Sequence, residues 1–147
     1  MSAASLVEPH PYEPLATTKT HAQKLVDATL AKHRDVSVLA MHVTPPNAND
    51  NIILASSFGR IGKKADEDDM KVVDTGQPIA GVYSQGKRYG VELPLRDAAG
   101  KTIGALSVGF PYREGDDQKM LGAKAEKLRD ELQTRIPSIQ ALVELDP

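Results

Sequence analysis

The run Ile53-Leu54-Ala55-Ser56-Ser57-Phe58-Gly59-Arg60-Ile61-Gly62-Lys63-Lys64-Ala65-Asp66-Glu67-Asp68-Asp69 decides how this chain is read. An apolar stretch stops at small polar residues, two glycines bracket an Arg-Ile pair, and an acidic segment follows. This is a strand running into a tight polar loop and then a short helix, whose acidic first turn suits the helix dipole. Such a loop folds over one face of a sheet and closes a small pocket. No catalytic constellation elsewhere competes with it, so a binding or sensing module is the leading expectation.

The flanking sequence supplies the sheet and its cover. From Thr17 to about His33, Ala22, Leu25, Val26 and Leu30 recur at helical spacing opposite Lys24, Asp27 and Lys32, which predicts an amphipathic helix. Asp35 to Thr44, rich in valine, reads as a strand, and Pro45 to Asp50 as the turn into a second strand, Asn51 to Ser57. The short helix, over about Asp66 to Asp74, is stopped by Thr75-Gly76-Gln77-Pro78. Ile79 to Ser84, Arg88 to Arg96 and Lys101 to Phe110 form three strands whose short turns imply an antiparallel meander. Gly104 and Gly109 mark close backbone approaches. A long helix over about Asp117 to Arg135 carries the apolar stripe Leu121, Ala125, Leu128, Leu132 and Ile136. Pro137 ends it, and Ile139, Leu142 and Val143 form a last apolar turn that packs back.

This order predicts an α+β fold: a five-stranded antiparallel sheet with long N-terminal and C-terminal helices and a loop-helix segment over the sheet. The first and last strands then lie adjacent at its centre. Residues 1–15, with Pro9, Pro11 and Pro14, read as a flexible N-terminal arm, and 16–147 as one domain.

Composition bounds the function. The 147 residues have a formal net charge of −2 and no cysteine. Disulfides, thiolate metal sites and Cys nucleophiles are excluded, and nothing points to nucleic acid or an anionic membrane as partner. No apolar run approaches the roughly 20 residues that span a bilayer. Met1 to Leu15 is no secretory signal, so export would require a signal already removed.

Arg60, Lys63 and Lys64 on the glycine loop either meet a carboxylate ligand or pair with Asp66 to Asp69 just beyond. Gly-Arg-Ile-Gly-Lys-Lys is not a P-loop, whose glycines stand further apart and whose lysine precedes Ser or Thr. His42, among apolar neighbours, either lines a pocket or is a hydrogen-bonded core histidine. Tyr83 and Tyr89 on the hairpin offer rings and hydroxyls to a ligand, with Tyr89 on the apolar side. Arg88 and Glu92 fall on the other side, where an ion pair is the plain explanation. The candidate ligand-binding set is Arg60, Lys63, Tyr83, Tyr89 and His42. Ser56, Ser57, Ser84 and Ser107 have no evident base and no G-x-S-x-G context, so no catalytic residue, metal or cofactor is expected.

The element order, with Ala55-Ser56-Ser57-Phe58-Gly59-Arg60-Ile61-Gly62-Lys63, Asp74-Thr75-Gly76-Gln77-Pro78 and the hairpin end Glu92 to Val108, resembles the single Cache domains. These are PAS-like extracytoplasmic sensor modules, and the resemblance covers roughly residues 17–135. It implies a periplasmic sensor that takes a small polar organic molecule, such as a carboxylate, and pairs as a homodimer through its N-terminal helix. The motif of amino-acid-binding Cache domains is missing, so that ligand class is not carried over. A cytoplasmic protein, an interaction module without ligand, and a small enzyme or haem binder using His42 stay open.

Overall fold

The computed structural model describes residues 10–146. Of the arm read over residues 1–15, residues 1–9 lie outside the described residues. From His10 the chain turns back, with the Glu13 N–H donating to the His10 carbonyl at 2.9 Å, and Tyr12 packs against the core.

Strand β1 (Lys19–Thr20) pairs antiparallel with β7 (Leu145–Asp146), a two-residue ladder that joins the two ends of the domain. This pairing starts helix α1 (His21–Lys32) later than the periodicity predicts. Buried Thr20 caps it by accepting from the Gln23 N–H at 3.1 Å. Strands β2 (Val38–Val43) and β3 (Ile52–Ser56) follow, then α2 (Glu67–Thr75). The meander is β4 (Ile79–Tyr83), β5 (Arg88–Arg96) and β6 (Thr102–Pro111). Helices α3 (Gln118–Gln133) and α4 (Ile139–Val143) close the fold.

The five strands β2 to β6 form one antiparallel sheet in the order β3-β2-β6-β5-β4, with the first and last at its centre as the element order requires. Register sets two faces. Leu39, Val108 and Val91 form one cross-strand row, and Met41, Leu106 and Leu93 the next. Both rows are buried with Leu25 and Val26 of α1 and the predicted stripe of α3. A bulge leaves Leu54 unpaired between Ile53 and Ala55, and Leu54 joins this core. Helix α2 lies against the opposite face of β5 and β6.

The Gly59-Arg60-Ile61-Gly62 stretch is a tight turn with Gly59, Arg60 and Gly62 all at positive φ (76°, 60° and 93°). It reverses the chain so that residues 62–65 run back along β3. The Gly62 N–H donates to the Ile53 carbonyl, and the Ile53 N–H to the Lys63 carbonyl, both at 2.9 Å. Asp66 then caps α2 in a reciprocal box with Asp69, and Gly76 at φ 71° ends the helix.

Two glycines give opposite expectations. A Cβ at Gly104 would overlap the His42 carbonyl oxygen, whereas one at Gly122 on α3 meets nothing within 4 Å. Gly104→Ala is expected to destabilise by about 1–3 kcal/mol. Gly122→Ala is expected to stabilise by roughly 0.5–1 kcal/mol. Urea unfolding of both variants checks the packing of β2 on β6.

Candidate functional site

The sheet face turned from α1 and α3 holds the out-of-phase residues of the central strands. Ser107 stands between Ala40 of β2 and Glu92 of β5, and His42 is its diagonal neighbour. His42 is 5% exposed, and its Nε2 lies 3.0 Å from Ser107 Oγ. Helix α2 brings Asp69, 4% exposed, whose Oδ2 is 3.4 Å from His42 Nδ1. That separation is too long for a good hydrogen bond, and Nδ1 has no hydrogen-bond partner. Carboxylate oxygens of Asp66, Asp69 and Glu92 all lie within 4.8 Å of one another.

Between this face and the glycine loop lies a cavity of about 510 Å³. His42, Asp69 and Ser107 line its inner part, and the exposed Arg60, Lys63 and Arg88 its outer part. Lys64 pairs with Asp50 at 3.4 Å. The alternative of a pairing with Asp66 to Asp69 is not what Arg60 and Lys63 do. Neither makes an ion pair among the described residues, although both share the cavity wall with Asp66 and Asp69. Arg88 and Glu92 make no ion pair either; Glu92 turns to Asp69 instead.

Burial holds the His42 pKa below its ordinary value, against the pull of Asp69 and Asp66, so the ring is mostly neutral at pH 7. Glu92 is pushed up to about 8 by burial first, then by its contact with the Asp69 carboxyl and by the charges of Asp69, Asp66 and Asp68. Two facing carboxyl groups attract only when one carries a proton.

Of the five residues read as ligand contacts, the structure brings His42, Arg60 and Lys63 to this cavity. Tyr83, 45% exposed, lines an adjoining hollow of about 210 Å³ that shares Arg88, Glu92 and Ser107. Tyr89 is a correction. It lies in phase with Val91 and Leu93, points into the core at 7% exposure, and its ring centroid is 6.0 Å from that of Tyr112. Strand alternation puts it on the far side of the sheet from Glu92. Asp69, Glu92, Arg88 and Ser107 were missed as site residues. For Arg88, Glu92 and Ser107 the available signal was their phase on β5 and β6, opposite to the apolar set; Asp69, on α2, carried none.

A second cavity, of about 500 Å³, lies between α1 and α3. Within it Glu131 takes Lys32 at 3.4 Å and His33 at 3.1 Å, and Lys127 and Arg135 also line it. Among the described residues, buried polar atoms without a hydrogen-bond partner, His42 Nδ1 and Glu92 Oε2, distinguish the sheet cavity.

No family model matches the chain, and no curated protein matches it. Solved structures do. The GAF domain of A. aeolicus nlh2 in an inactive state aligns at TM-score 0.59 and 12% identity over 78% of this chain and 83% of that one. The inducer-binding domain of a double mutant of the PobR transcription factor from Acinetobacter, in complex with 3-hydroxybenzoic acid, aligns at TM-score 0.51 and 12% identity over 78% and 97%. The fold is thus GAF-like, an α+β architecture with a five-stranded antiparallel sheet.

Glu92 makes stability pH-dependent. Its folded pKa lies above the unfolded value, so the folded state holds a proton that the unfolded state releases above about pH 4.5. Stability from this group is therefore lost as pH rises toward about 8. In chelator-containing buffer, Glu92→Gln should match the wild type near pH 4. It should exceed it above pH 8 by on the order of 1–3 kcal/mol, the cost of a buried group without its partner. Urea melts across that range measure the difference.

Proposed function

We propose that this chain is a small-molecule sensor module of the single-Cache kind, not an enzyme, and that it holds an organic carboxylate between the sheet and residues 57–74. The observation that carries this reading is the set Arg60, Lys63 and Arg88 around one cavity, none of them in an ion pair among the described residues. An arginine offers a carboxylate a bidentate pair of hydrogen bonds. Ser107 and His42 at the inner end supply hydroxyl and imidazole partners for a second polar group on the ligand. The PobR neighbour's ligand, an acid bearing one further hydroxyl, has that chemistry.

Ser107, His42 and Asp69 follow the order of a nucleophile, base and orienting acid. We take them as recognition groups, because no hydrogen bond ties Nδ1 to Asp69 and orients the imidazole. Ligand capture closes the loop and shifts a pre-existing equilibrium in proportion to its differential affinity for the two states. The loop reaches α1 through Gln23, whose side-chain amide bonds Ser56 both ways, at 2.9 Å and 3.0 Å. Helix α1 is the route to a homodimer partner in an exported sensor. Among the described residues no helix is long and apolar enough to cross a membrane.

The test is a thermal-shift and calorimetric screen of benzoate, 3-hydroxybenzoate and short aliphatic acids. A binding acid should raise the melting temperature. Arg60→Ala should weaken it about tenfold or more, roughly 1.4 kcal/mol, with stability unchanged because Arg60 is exposed. Equal affinity in the variant at equal stability overturns the assignment.

A further inference from the structure

Three carboxyl groups, of exposed Asp66, buried Asp69 and half-buried Glu92, converge on the cavity wall with no lysine or arginine in ion-pair distance among the described residues. Oxygens of Asp66, Asp69 and Glu92 lie within 4.8 Å of one another. The one basic side chain within ion-pair distance of any of them is His42, among the described residues. A divalent cation can take the place of the proton that Glu92 shares with Asp69 and gather the three carboxyl groups around one positive centre.

His42 is the second, independent observation. Its side chain is 7% exposed, and Nδ1 is buried, turned toward Asp69 Oδ2 at 3.4 Å and without a hydrogen-bond partner. Nε2 is engaged with Ser107 Oγ at 3.0 Å. When Nε2 carries the proton and donates it to Ser107, Nδ1 presents a bare lone pair to a carboxylate. Two electron-rich atoms held face to face away from solvent are stable with a cation between them. Glu92 Oε2 is likewise buried without a donor.

We infer that Asp66, Asp69, Glu92 and the Nδ1 of His42 form a divalent-cation site at the inner end of the cavity, separate from the anion-binding cations at its rim. The donor set of three carboxylates and one imidazole favours a first-row transition ion such as Mn²⁺, Fe²⁺ or Zn²⁺ over Ca²⁺ or Mg²⁺, which prefer oxygen alone. The Ser107 contact is then the outer hydrogen bond that fixes the imidazole tautomer, as ligating histidines require. The capping box holds the two aspartates in place. Asp66 Oδ1 accepts the Asp69 N–H and Asp69 Oδ2 accepts the Asp66 N–H, each at 2.9 Å, which leaves one oxygen of each free for the ion. This site shares His42 with the carboxylate reading but needs neither Arg60, Lys63 nor Arg88.

The test uses the full chain stripped with EDTA and titrated with Mn²⁺ alone. Loss of the six-line EPR signal of free Mn²⁺ reports binding, and calorimetry gives the stoichiometry. One Mn²⁺ per chain is expected, with Glu92→Gln and Asp66→Asn each weakening it at least about tenfold. Asp66→Asn keeps an effective helix cap, and Glu92→Gln leaves the capping box untouched, so both variants fold. An undiminished free signal up to about 1 mM Mn²⁺, or equal affinity in both variants, overturns the inference. Acid binding is measured in EDTA, so failure of either titration is read apart from the other.

Discussion

The alternation of β2, β5 and β6 is the constraint on which the rest of this structure depends. Leu39, Met41, Val91, Leu93, Leu106 and Val108 meet in register on one face and are sealed by α1 and α3. Slipping any of these strands by one residue would send its apolar set to the other face and bury its polar set. Burying the apolar rows therefore also fixes the place of His42, Glu92 and Ser107, which share the opposite face because they are out of phase. The site is a by-product of the core's register, held as firmly as the core itself. Gly104 and Gly109 allow β6 to sit close to β2, since a Cβ at Gly109 would come within 2.8 Å of Val38 Cβ.

A second constraint joins the site to the helices. Gln23 is 4% exposed, and its amide makes two hydrogen bonds to the backbone of Ser56, the last residue before the loop. Apolar replacement would leave both Ser56 groups unsatisfied in the interior, so the link is costly to lose. Further out, the β1–β7 ladder joins the start of α1 to the end of the domain, where His21 Nδ1 also meets Asp146 Oδ2 at 3.2 Å. A movement of the loop thus has a short hydrogen-bonded route to α1, the helix that the β1–β7 ladder ties down.

Much of the fold was legible in the sequence because it is written in local periodicities. The apolar stripe of α3, the alternation of β5, the Asp66 and Gly76 ends of α2 and the glycine turn all need no knowledge of distant residues. Their order alone put β2 beside β6. The β1–β7 ladder carried no such signal, since two residues at each end make no pattern and their pairing spans nearly the whole chain. The site was half legible for the same reason. His42, Arg60 and Lys63, read from a strand's apolar neighbours and from loop composition, lie together at one cavity, whereas Tyr89 was read as a contact against its own alternation. Asp69 and Glu92 meet only because α2 packs across the sheet, a tertiary contact with no local trace. The likeness to a GAF domain and an inducer-binding domain at 12% identity agrees: the architecture is shared where residue identities are not.

The central claim is that ligand enters the sheet cavity and not the groove between α1 and α3. Amide chemical-shift mapping during titration with 3-hydroxybenzoate tests it most directly. The account predicts that shifts gather at His42, Ser107, Arg88 and the loop from Phe58 to Asp69, and spread to Ser56 and Gln23. Shifts gathered instead at His33, Lys127 and Glu131, with the sheet face silent, would contradict it.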